Sequence, residues 1–126
     1  MQIVDEKLDV AALKAIGWDV VQLLRAGQIK ALAGRFGYAL AFGRELEAAI
    51  REDLAECLGQ IGADDFASHA KCDYEVKFFE LNSSNLIALV ECVIPANNGN
   101  EVLAEVVITS DGRKRYATLE QISAIN

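Results

Sequence analysis

The chain has 126 residues, 52% hydrophobic and 25% charged. That size suits one packed core and that composition excludes a disordered or low-complexity chain, so a single domain over residues 1–126 is predicted. Nineteen acidic residues against twelve basic ones leave a net charge of -7, and with no long basic run to counter that field, nucleic acid is excluded as a partner.

The longest continuous apolar stretch, Leu86 to Val90, falls far short of the roughly 20 residues that span a bilayer. Asp5, Glu6 and Asp9 stand where a signal peptide would carry positive charge and an unbroken apolar segment. No membrane partner, a cytoplasmic location and a mature protein equal to the whole chain are expected. The mean hydropathy of +0.19 implies more apolar area than one small core hides, and points to a surface buried by a partner.

From Leu8 to Ala26, the residues Leu13, Ile16, Val20 and Leu23 form one stripe of a 3.6-residue repeat, with Asp5 or Asp9 as the start cap and Gly27 as the stop. A shorter helix over Gln28 to Phe36 follows, marked by Ile29, Leu32 and Phe36, after which Gly34, Gly37 and Gly43 loosen the chain. Leu46, Ile50, Leu54, Cys57, Leu58 and Ile61 restore the helical spacing, with Glu47 and Arg51 as an i, i+4 pair and Gly59 and Gly62 at the end. Residues 63–71 carry no apolar period and read as the connection to a second half.

After Cys72 the repeat changes to 2, with Tyr74, Val76 and Phe78 alternating with Glu75 and Lys77 until the turn residues Asn82 to Asn85. Leu86 to Ile94 is apolar except for Glu91, as a central strand covered on both faces would be. Pro95 and the cluster Asn97–Asn100 form the next turn, Val102 to Thr109 a third strand, and Asp111-Gly112 a tight hairpin into Arg115 to Ile125. Helices followed by consecutive strands predict an α+β fold, with N-terminal helices on one face of a four-stranded antiparallel meander. Leu86, Val90, Cys92 and Ile94 then point one way and Ile87, Leu89 and Val93 the other, so the second face must line a pocket or meet another subunit.

The phrase Leu23-Leu24-Arg25-Ala26-Gly27-Gln28-Ile29-Lys30-Ala31-Leu32, a helix stopped by glycine and restarted as a short helix, resembles the opening of the nuclear-transport-factor-2-like, or cystatin-like, superfamily. The resemblance implies a curved sheet shaped as a cone with helices in its mouth, frequently dimeric and used for enzymes, binding modules and immunity proteins alike. Some enzymes of that superfamily pair a carboxylate at the cone mouth with a buried tyrosine. Here Tyr38, Tyr74, Tyr116, Asp65, Glu91 and Glu105 are the residues from which such a pair would be drawn, with no motif fixing a catalytic role to any of them.

Cys57, Cys72 and Cys92 are odd in number, widely spaced and accompanied by the single histidine His69. That pattern excludes a structural zinc site and predicts buried, reduced thiols. No cofactor is expected, since the glycines are loosely spaced and no Gly-Lys-Ser or Gly-Lys-Thr follows them.

Five residues are binding candidates. His69 is the single histidine and stands behind Asp64 and Asp65 on a polar connection, a common place for function. Trp18 falls on the first helix beside Lys14, Gln22 and Arg25, away from the apolar stripe, where it would anchor a partner or pack on the second helix. Tyr38 stands among the loosening glycines, and Glu91 and Glu105 interrupt apolar strands, where each is exposed, paired or shifted in pKa. Arg113, Lys114 and Arg115 form a basic hairpin tip read as solvated. The leading functional expectation is a non-enzymatic interaction domain, a homodimer through the sheet face whose acidic surface meets a protein partner, as an immunity-type inhibitor of a basic toxin would. The alternative is an enzyme or small-molecule binder with a cone pocket.

Overall fold

The computed structural model describes residues 1–4, 7–80 and 82–125. In chain order it comprises β1 (Gln2–Ile3), α1 (Val10–Arg25), α2 (Ile29–Phe36), a 3-10 turn (Ala39–Ala41), α3 (Leu46–Gln60), β2 (Asp73–Phe78), β3 (Leu86–Pro95), β4 (Glu101–Ser110) and β5 (Arg115–Ile125). The class is α+β, with three α-helices and one curled antiparallel sheet. No helix among the described residues is long and apolar enough to cross a membrane.

Asp9 caps α1 through its carboxylate, which accepts the Ala12 N–H at 2.9 Å. Asp5, the other cap candidate, lies outside the described residues. The helix buries Leu13, Ile16, Gly17, Val20, Val21 and Leu24, while Leu23 is only half-buried. It ends in a paired hydrogen-bond motif: the Gln28 N–H donates to the Leu23 carbonyl at 2.9 Å and the Gly27 N–H to Leu24 at 3.1 Å. Gly27 supplies the left-handed backbone that this closure needs, with φ of 69°. The α3 terminus repeats the device, with Ala63 N–H on Leu58, Gly62 N–H on Gly59 and Gly62 at φ 70°. Its start is capped by Glu45, whose carboxylate accepts the Glu47 and Ala48 N–H groups.

The sheet has five strands in the order β1-β5-β4-β3-β2, not the four expected. The additional strand is the N-terminus itself, pairing Gln2 with Tyr116 and Ile3 with Arg115. Two residues are too few to display a period, and this one is set by tertiary pairing, with Met1 and Ala117 exchanging hydrogen bonds at 2.7 and 2.8 Å. Pro95, expected in a turn, ends β3 opposite Glu101. Its carbonyl accepts the Ala67 N–H, and Phe66, buried, bridges to Ala96. The stretch read as a plain connection therefore packs against the sheet. Asn98 and Asn100 both donate to the Ile61 carbonyl, tying the β3–β4 turn to the end of α3.

One face of the sheet is sealed. Ala88, Val90, Cys92, Ile94, Val102, Ala104, Val106, Ile108, Ala117, Leu119 and Ile122 are all 4% exposed or less and join the apolar faces of the helices in one core. Ala88, not Leu86, completes the β3 row, because the pairing shifts between Leu86 and Ala88. A second shift lies between Glu105 and Val106, and such bulges add local bend and twist to a sheet.

Gly17 sets how closely α1 lies on the sheet. A Cβ at that position would fall 2.9 Å from Val90 Cγ1, 3.0 Å from Cys92 Sγ and 3.2 Å from Tyr74 Cδ1. Alanine in a helix interior normally stabilises by about 1 kcal/mol over glycine. Here the sign should reverse, because a methyl wedged between helix and sheet is overpacked. Gly17→Ala is expected to lower the unfolding free energy by roughly 1–3 kcal/mol, read from urea denaturation; a gain in stability would show that the helix does not lie this close.

Candidate functional site

Among the described residues, the helices join the core on the inner side and none covers the outer face of the sheet. Along β3 and β4, Ile87, Leu89, Glu91, Val93, Leu103, Glu105 and Val107 alternate with the core row and are half-buried. The strand register places Glu75 opposite Glu91, Glu91 opposite Glu105 and Glu105 opposite Gln121. Glu120 sits at the irregularity beside Gln121. A row of carboxylates thus crosses four strands, flanked by apolar side chains.

Charge within this row is only partly compensated. Lys77 Nζ reaches Glu91 Oε1 at 2.7 Å, and Glu91, then Glu75 and Glu105, hold the lysine above its ordinary range. The Glu105 carboxyl is raised, first by burial and then by the charges of Glu91 and Glu120, with Lys77 pulling the other way. Glu91 and Glu105, read separately from the sequence as interruptions of apolar strands, are therefore direct neighbours. Glu75 and Glu120 complete the row only through cross-strand register.

Tyr38 belongs elsewhere. Its side chain is 4% exposed, and its hydroxyl donates to Asp53 Oδ2 at 2.5 Å. Arg44 grips the same carboxylate with two nitrogens, at 2.9 Å on Oδ1 and 3.1 Å on Oδ2, and also donates to the Ala41 and Leu40 carbonyls and to Glu52. Arg44 first, and the tyrosine hydroxyl next to it, holds the Asp53 carboxyl below its usual value. Burial, then the bond to Asp53, pushes the Tyr38 phenol upward. The phenol stays a protonated donor and the carboxylate stays charged, so the three groups form a clasp between the 3-10 turn and α3. Sequence spacing did not bring Arg44 and Asp53 forward, because Asp53 occurs in a helix crowded with carboxylates, where no one of them stands out.

The remaining candidates do not converge. His69 is exposed, and among the described residues its side chain makes no hydrogen bond. Asp65 accepts the Phe66 N–H and shapes the loop, and Asp64 is exposed. Trp18 is 54% exposed, and the adjacent Asp19 pairs with Arg35 of α2 at 3.2 Å. At the β4–β5 tip, Asp111 accepts the Arg113 and Lys114 N–H groups and closes the hairpin. Tyr74 lies on the inner side beside Gly17, its phenol pushed up to about 12 mainly by burial. Cys57, Cys72 and Cys92 are free and buried, and burial raises all three thiols.

Among the described residues, three hollows open at the helical side, one of them, about 510 Å³, between α2 and the start of α3 at Lys30, Gly34 and Glu47, and two nearer the groups described above. Of these two, one of about 570 Å³ lies between the α1–α2 corner and α3, lined by Arg25, Ile29, Arg51 and Leu54. The other, about 370 Å³, borders the clasp at Arg44, Asp53 and Phe42. None of the three includes Glu91 or Glu105. No protein-family model matches the chain, and neither a curated protein nor a solved structure does.

The raised carboxyl of Glu105 carries a stability consequence. Folding disfavours its charged form, a penalty present above the folded pKa and lost as pH falls through it and below the ordinary value of 4.5. Glu105→Gln is expected to raise the urea midpoint at neutral pH, with the gain shrinking to nothing below about pH 4; an unchanged or lower midpoint at neutral pH would contradict the electrostatic account of the row.

Proposed function

We propose that this chain is a small, non-enzymatic protein-interaction domain whose outer sheet face receives a basic surface of a protein partner, in the manner of an immunity-type inhibitor working in the cytoplasm. The carrying observation is the carboxylate row Glu75, Glu91, Glu105 and Glu120 on a half-buried apolar face with Lys77 as its adjacent counter-charge. A cationic side chain inserted there gains both apolar contact and a charge already partly stripped of water. The overall charge of -7 speeds the approach of such a partner. The curled antiparallel sheet with helices on one side is compatible with the nuclear-transport-factor-2-like layout, and that family assignment, with one domain over the whole chain, belongs to this proposal.

The ligand-binding alternative asked for Glu91 or Glu105 and a tyrosine meeting inside the cone. Both carboxylates lie on the outer side, while Tyr38 is spent on Asp53 and the inner side is filled by Phe36, Leu13, Leu32 and Ile50. Face-to-face pairing of two identical copies would bring two carboxylate rows together, so the face is assigned to a partner of opposite charge rather than to a second copy.

Immobilised wild-type chain is expected to retain one or more basic proteins from a lysate, released by salt, and the Glu91→Lys/Glu105→Lys variant to lose them by about tenfold or more. Retention of the same proteins by both baits would contradict the proposal, as would a metabolite that raises the melting temperature by filling the hollow beside Asp53.

A further inference from the structure

Among the described residues, strand β2 ends the sheet and pairs with β3 alone. The Phe79 N–H donates to the Ile87 carbonyl at 2.8 Å, so by the alternation of an antiparallel ladder Asp73, Glu75 and Lys77 turn their backbone groups to β3. Tyr74, Val76 and Phe78 turn theirs outward. An outward row of N–H and C=O groups is a template for another strand, and one that must be satisfied or guarded.

The sequence of this edge is self-complementary in one register. With a twofold axis at Val76, Tyr74 lies opposite Phe78 of the second copy, and Glu75 opposite Lys77 of the second copy, each pair occurring twice. Moving the axis by one residue stacks Glu75 on itself or Lys77 on itself, so charge selects the register. Within its own chain Glu75 faces Glu91, and a lysine from a second copy would offset that like-charge pair.

The surroundings agree. Phe78 is 53% exposed and Trp18 54%. Gly17 faces β2 and β3, Asp19 turns to α2, and Arg25 bonds the Ala70 carbonyl just ahead of β2. At 100° per residue, Trp18 therefore lies on the flank of α1 nearest the free edge, where it would cover the inner side of an added strand.

We propose that two copies of this chain pair antiparallel through β2, with the axis at Val76, to form one continuous ten-stranded sheet. The outer face stays open in this arrangement, so the pairing is independent of the partner-binding proposal.

Sedimentation equilibrium at micromolar concentration should return twice the chain mass. Glu75→Lys and Lys77→Glu should each weaken the dimer about tenfold by placing like charges opposite one another, and the double swap E75K/K77E should restore it. Val76→Pro removes an outward N–H and leaves the β2–β3 ladder intact, so it should give monomer. In the unaltered chain, the Tyr74, Val76 and Phe78 amides should exchange slowly when concentrated and quickly when diluted. A monomer throughout that range, a dimer indifferent to Val76→Pro, or failure of the double swap to restore pairing would overturn the assignment. Capture of a basic protein by the unaltered chain is a separate outcome and would survive any of these results.

Discussion

Strands β3 and β4 alternate between two faces with different obligations, and among the described residues only one face has helices against it. Val90, Cys92 and Ile94 on β3 and Val102, Ala104 and Val106 on β4 are fully buried, each large aliphatic among them stabilising the fold by roughly 1.5–3 kcal/mol. Ala88, Ala104 and Ala117 keep that face shallow, and Gly17 brings α1 down to it. Once the inner row is fixed, every residue between its members is committed to the outer face, because a slip of one position would exchange the two. The carboxylate row is a consequence of that commitment.

The outer face is costly for an isolated chain. Apolar side chains remain half-exposed there, and Glu105 is held partly dry beside two other carboxylates. On the proposed reading of this face, these unfavourable terms would be relieved when a complementary charge arrives. The clasp of Tyr38, Asp53 and Arg44 is the contrasting case: its charges are satisfied within the chain and hold the 3-10 turn to α3.

Much of this architecture could be read directly from periodicity. The change from a 3.6 to a 2 repeat near Tyr74, the stops at Gly27 and Gly62, and the turns at Asn97–Asn100 and Asp111-Gly112 all mark local chemistry, and local chemistry is written in neighbouring residues. What escaped depends on distant parts of the chain. β1 exists only because β5 offers an edge, Phe66 is buried only because Ala96 is beside it, and Gly17 matters only where Val90 and Cys92 approach. The same division applies to the site. Glu91 and Glu105 stood out by breaking apolar strands, but their contact required the β3–β4 register, and the Asp53 partnership of Tyr38 required a tertiary fold.

The division of the sheet into a sealed and an available face is tested most directly by one matched pair of substitutions on β3. Val90→Thr and Val93→Thr make the same chemical change three residues apart, on opposite faces. Measured by urea denaturation, the inner change is expected to lower stability by about 1–3 kcal/mol and the outer one by less than about 0.5 kcal/mol. Equal losses at both positions would mean that the outer face is also core, and would contradict the account.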